Sequence, residues 1–134
     1  MIRSQSELKT TATDIEDVRI ASFVLSGQKS LDLKQYHSMK NLTFGINALD
    51  KISKLELIGL EELDSVVIMR GGLSGGSGRI RVMNCSKLST IDIGEFAFTK
   101  YKYLELLNLP MLQTVKFDNS TFSSIQTILF EGNC

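Results

Sequence analysis

The chain has 134 residues, 43% apolar and 22% charged, the balance of one globular domain long enough to bury a core. Fifteen basic residues cancel fifteen acidic ones, so no whole-chain field draws it to nucleic acid or an anionic membrane, and neither is expected as a partner. Its uncharged apolar runs fall well short of the ~20 residues of a membrane-spanning helix. Two cysteines, Cys85 and Cys134, are too few for a disulfide framework and lack zinc-site spacing.

In chain order, residues 1–14 carry no strand phrase and no long apolar stretch of the secretory kind, and are expected as a cap or linker. The compartment stays open. From residue 15 the chain is periodic. Ile15, Val18, Ile20 and Leu25 form the tail of one unit. Leu31-Asp32-Leu33, Leu55-Glu56-Leu57, Ile80-Arg81-Val82, Leu104-Glu105-Leu106 and Ile128-Leu129-Phe130 then open successive units, their first residues 24, 25, 24 and 24 positions apart.

Further columns keep the same period. Five on from each opening residue stand Tyr36, Leu60, Cys85, Leu109 and, breaking the pattern, Asn133; eight on stand Met39, Leu63, Leu88 and Leu112. A second phrase follows at Leu42 and Phe44, Val66 and Ile68, Ile91 and Ile93, and Val115 and Phe117. Leu49, Leu73, Phe98 and Phe122 close the units.

Each phrase ends in apolar-x-apolar, the alternation of a strand with one buried face, and Val, Ile, Thr and Phe are frequent there. Polar or small residues such as Ile58-Gly59, Asn108 and Asp118 to Thr121 suit tight corners. No stretch sustains helical spacing over ten or more residues. The expected fold is a mainly β solenoid with little helix: ~24-residue coils stacked into two parallel sheets around a thin core.

The residues that carry this period also carry a resemblance. Ile80 to Leu88 (IRVMNCSKL) resembles the leucine-rich repeat consensus L-x-L-x-x-N/C-x-x-L. Leu88 to Phe98 (LSTIDIGEFAF) resembles the BspA-like subtype, in which a Phe closes the coil. The irregular units are similar to the divergent L-domain-like arrays of bacteria and microbial eukaryotes. The resemblance covers residues 15–134 and implies a module that binds proteins or glycans through solvent-facing strand positions. No polar capping repeat is recognisable at either end, and the chain stops just after opening a fifth first strand, so a longer array truncated at Cys134 is expected.

Few residues invite chemistry. Arg70 to Arg79 (RGGLSGGSGR) is half glycine but lacks the Gly-Lys-Ser/Thr and following helix of a phosphate loop, and it falls where one repeat lengthens to 25 residues. A surface loop accounts for it. His37, the only histidine, has no nucleophile motif around it. Cys85 falls in the inward Asn/Cys column as a buried thiol. Asn41, Asn84 and Asn119 each open a glycosylation sequon, which only a secreted chain uses.

Stacking aligns the polar columns. The centre of the first strand reads Asp32, Glu56, Arg81, Glu105, Leu129, and the position before the phrase reads Ser30, Lys54, Arg79, Tyr103, Thr127. Asp32, Lys54, Glu56, Arg79, Arg81, Tyr103 and Glu105 are therefore the candidate binding residues, a mixed-charge face with one aromatic anchor. A merely solvated sheet face is the competing account of the same columns. On the second strand, Asn41, Ser65, Thr90 and Thr114 form one column and Thr43, Val67, Asp92 and Lys116 another.

The expected function is a non-catalytic interaction module with a protein partner, or a glycan, and with no cofactor, metal or catalytic set. Two alternatives stand beside it. One is a carbohydrate-active enzyme on a β-helix-like solenoid, with Asp32 and Glu56 stacked about one strand spacing (~4.8 Å) apart. The other is a structural spacer.

Overall fold

The computed structural model describes residues 14–21, 30–46, 48, 54–71, 78–95, 97, 101–117 and 127–131. Among the described residues ten strands follow in chain order: β1 (Asp17–Ile20), β2 (Ser30–Asp32), β3 (Asn41–Phe44), β4 (Lys54–Ile58), β5 (Ser65–Ile68), β6 (Arg79–Met83), β7 (Thr90–Ile93), β8 (Tyr103–Leu107), β9 (Thr114–Phe117) and β10 (Thr127–Glu131). Among the described residues there is no helix. Odd strands make one parallel sheet in the order β1-β3-β5-β7-β9, and even strands the other, β10-β8-β6-β4-β2. The chain alternates between the two sheets, which is a β-solenoid.

The register follows the sequence period. Leu31 pairs Leu55, Leu55 pairs Ile80, Ile80 pairs Leu104 and Leu104 pairs Ile128. On the other sheet Leu42 pairs Val66, Val66 pairs Ile91 and Ile91 pairs Val115. The coil containing the glycine-rich segment absorbs its extra residue off the sheets, because Lys54 still pairs Arg79.

The corners explain the x-x spacing between the second and third columns. Tyr36, Leu60, Cys85 and Leu109 each offer a carbonyl to the amide three residues on, at Met39, Leu63, Leu88 and Leu112. Each pair therefore brackets one β-turn, whose two central residues are polar in the first three (His37-Ser38, Glu61-Glu62, Ser86-Lys87) and Pro110-Met111 in the fourth. Leaving the first strand, Gly59, Asn84 and Asn108 have φ of 68°, 55° and 54°. Asn bears this left-handed conformation better than other side chains, and Gly bears it without cost. Ile58, which the sequence places in that corner, is instead the last residue of β4.

Both sheets bury their inward columns in one core. Leu55, Leu57, Leu63, Leu42, Phe44, Leu88 and Leu109 have no exposure. The interior void is about 10 Å³ and lined only by apolar residues such as Leu57, Val82, Ile91 and Leu106, so it is packed and dry. Among the described residues, three buried hydrophobic side chains lie outside the columns above: Ala48, Ala97 and Tyr101. Ala48 and Ala97 close turns that begin at Gly45 and Gly94.

One column departs from expectation at the last coil. Phe117 is 42% exposed, and Val115 and Leu112 are only partly buried, because among the described residues β9 is an edge strand with β7 as its sheet neighbour. The closing residues Leu49, Leu73, Phe98 and Phe122, the centre of the glycine-rich loop, Leu25, Asn119 and the termini at 1–13 and 132–134 lie outside the described residues.

Candidate binding face

A parallel strand puts alternate side chains on opposite faces, so burying Leu55 and Leu57, Ile80 and Val82, and Leu104 and Leu106 turns the residues between them outward. Three outer columns result. The first holds Lys54, Arg79 and Tyr103, and the second Glu56, Arg81 and Glu105. The third, Ile58, Met83 and Leu107, is half-buried. Six of the seven candidates from the sequence are thus neighbours on the β4-β6-β8 face. The backbone of Asp32 pairs Glu56 one strand further along; its side chain lies outside the described residues.

The second column is an ion-pair ladder. Arg81 Nε donates to Glu105 Oε2 at 2.9 Å, and Arg81 Nη1 lies 3.7 Å from Glu56 Oε2. Glu56 also meets Lys54 Nζ at 2.9 Å. Both carboxylates are therefore engaged, and Arg81 on β6 bridges the glutamates of the two flanking strands, β4 and β8. In the first column the Arg79 guanidinium lies over the Tyr103 ring, 5.9 Å from its centroid. Lys54, Gly78, Arg79 and Tyr103 line an open cleft of about 330 Å³.

The apolar third column lies one residue beyond each apolar-x-apolar phrase of the sequence, because β4, β6 and β8 run on to Ile58, Met83 and Leu107. Alternation continued past Leu57, Val82 and Leu106 would have found it.

The opposite sheet has a different character. Asn41 donates to Asp17 at 2.7 Å and accepts from Ser65 at 2.7 Å, so short polar side chains bond along the stack. Beside them Lys40 pairs Glu16 at 3.3 Å and Ser89 donates to Asp64 at 2.6 Å. These groups satisfy one another. Asn41, one sequon residue, is held in that ladder; Asn84, another, accepts from Asn108 at 3.1 Å.

Cys85 is fully buried, its thiol 3.4 Å from the Met83 carbonyl and 3.5 Å from that of Leu57 in the preceding coil. Burial pushes the thiol above its ordinary range, against a smaller opposing pull from the Leu60 and Gly59 backbone. His37 is exposed, with Nδ1 3.2 Å from the Gln35 carbonyl. Among the described residues no group of three or more His, Cys, Asp or Glu is placed to hold a metal ion, and no helix is long and apolar enough to cross a membrane.

Comparison with family models, with curated proteins and with solved structures returns no match. The class that the coordinates define is a parallel two-sheet β-solenoid built from ~24-residue repeats.

Proposed function

We propose that this chain is a non-catalytic binding module of the leucine-rich repeat kind, irregular and BspA-like, which offers the outer face of β4, β6 and β8 to a protein partner. The observation that carries this reading is the pairing of an exposed Tyr103 and an Arg79 stacked on it, beside a locked Glu56-Arg81-Glu105 ladder. Aromatic and arginine side chains on a rigid support lose little freedom on binding, which is why such residues dominate contact energies. The half-buried Ile58, Met83 and Leu107 add apolar area alongside. The repeat assignment draws support from the coil length and from Cys85, whose buried thiol faces carbonyls at the Asn/Cys column.

The test is a pull-down from source-cell extract with three proteins: the wild type, an Arg79→Glu/Tyr103→Ala variant, and a Thr43→Glu/Asp92→Arg variant of the other sheet. The expected result is a protein retained by the wild type and the second variant and lost from the first. Equal retention by all three removes the face from the interaction. Polysaccharide turnover that disappears in Glu56→Ala would overturn the non-catalytic reading.

A further inference from the structure

Across β4, β6 and β8 the outer face carries three cations, Lys54, Arg79 and Arg81, against two anions, Glu56 and Glu105. Arg81 is held by both glutamates, and Lys54 shares Glu56 with it. Arg79 alone of the three has no carboxylate partner among the described residues; its guanidinium rests on the Tyr103 ring. A cation–π contact uses none of the guanidinium N–H groups, so they remain able to donate. Arg79 lines the open cleft of about 330 Å³ together with Lys54, Gly78 and Tyr103, the walls it has among the described residues. Both charged residues among these described walls are cations, on a chain of zero formal net charge.

We propose that this cleft receives a carboxylate side chain, Asp or Glu, from the protein partner. The inference rests on the same face being the contact surface. In the complex Arg79 donates its pair of N–H bonds to the carboxylate, Lys54 supplies a second, shared charge, and Tyr103 covers the aliphatic stem. Two features select a single negative charge over a phosphate or a polyanion. Glu56 lies 2.9 Å from Lys54 and repels a dianion at the rim. The adjacent column alternates in sign, Glu56, Arg81, Glu105, so a uniformly acidic polymer laid along the stack meets two glutamates for each arginine.

The protein provides its own reporter. It has three tyrosines and no tryptophan, and Tyr36 and Tyr101 are fully buried while Tyr103 is 38% exposed. Acrylamide quenching of tyrosine fluorescence therefore reads Tyr103. The probes are the capped peptides Lys-Glu-Lys-Glu-Lys and Lys-Gln-Lys-Gln-Lys, and tetragalacturonate as a uniform polyanion. The Glu peptide is expected to protect Tyr103, with protection lost at high salt. Replacing its Glu by Gln, or Arg79→Ala in the protein, is expected to weaken binding at least about tenfold, the loss of one charge-assisted contact. Equal protection by the Gln peptide, or full affinity in Arg79→Ala, overturns the inference, as does protection by tetragalacturonate alone. The two readings separate in the pull-down: a partner lost from Arg79→Glu/Tyr103→Ala but held at full affinity by Arg79→Ala removes the carboxylate and leaves the face.

Discussion

At the residue scale, two glycines that look alike in the sequence do different work. Gly94 donates its N–H to the Ile68 carbonyl at 2.7 Å, and a Cβ there would stand 2.8 Å from the Arg70 nitrogen and 2.9 Å from the Ile68 oxygen. The obstacle is backbone, which cannot step aside without parting two coils. Gly94→Ala is expected to cost about 1–3 kcal/mol in urea unfolding, the range of an overpacked core. Gly59 has open space around its Cβ position but φ of 68°, in the column occupied elsewhere by Asn84 and Asn108. Gly59→Ala should therefore cost about 1 kcal/mol from strain alone, whereas Gly59→Asn should be close to neutral. Equal losses in those two variants would show that the left-handed φ is not the cause.

Two buried titratable groups, Cys85 and Tyr101, make stability fall at alkaline pH. Burial raises Cys85 above its ordinary 9.0 and Tyr101 above its ordinary 10.0. Each is neutral when protonated, so the unfolded chain loses these protons first as pH rises, and stability falls. The contribution is complete below pH 9, begins to decline there through Cys85, and declines further above pH 10 through Tyr101. Denaturant midpoints between pH 8 and 11 should fall accordingly. Tyr101→Phe should remove the part of the slope above pH 10, and an unchanged slope in that variant would exclude Tyr101 as its source.

At the scale of the element, each strand of the candidate face is held to its neighbour by side chains as well as backbone. Arg81, 31% exposed, bridges Glu56 at 24% and Glu105 at 16%, so the ladder is less screened than a fully solvated pair. Arg81→Met keeps the aliphatic stem and leaves two carboxylates without their shared cation. The expected loss is about 1 kcal/mol, the upper part of the range for partly exposed pairs, and it should shrink as salt rises. A double-mutant cycle with Glu105→Gln measures the coupling; a value of zero would mean that the ladder orders the face without stabilising the fold. At the corner beyond β4, Lys87 bonds Glu62 at 2.9 Å and holds that carboxyl below its ordinary 4.5. Its titration, followed by NMR, should move upward in Lys87→Ala.

At the scale of the whole molecule, a solenoid buries each coil against the next, so the cost of losing an apolar side chain depends on its place in the stack. Leu57 faces neighbours on both sides and has no exposure, while Phe117 on the edge strand β9 is 42% exposed. Leu57→Ala is expected to cost about 2–5 kcal/mol, the range for emptying a packed site. Phe117→Ala should cost about 1 kcal/mol or less. Unfolding curves of the two variants check this, and similar losses would mean that β9 is covered as well as β4.

How much of this was legible without coordinates depends on which forces act along the chain and which act across it. Repetition at 24 residues determined the strands, the parallel pairing and the register, because equivalent residues of stacked coils must lie side by side once the apolar columns turn inward. The same logic brought Lys54 beside Arg79 and Glu56 beside Arg81 and Glu105, and it put Cys85 in the core. The tertiary structure alone decided which charges pair. One-dimensional columns leave both Arg79 and Arg81 next to glutamates, and only the outward geometry gives both carboxylates to Arg81 and sends Arg79 onto Tyr103. It also decided that Ala48, Ala97 and Tyr101 are core, that Ile58, Met83 and Leu107 border the face, and that Phe117 is left partly in water. Those outcomes rest on distances between side chains and on the edge of a sheet, neither of which is carried by a period in sequence.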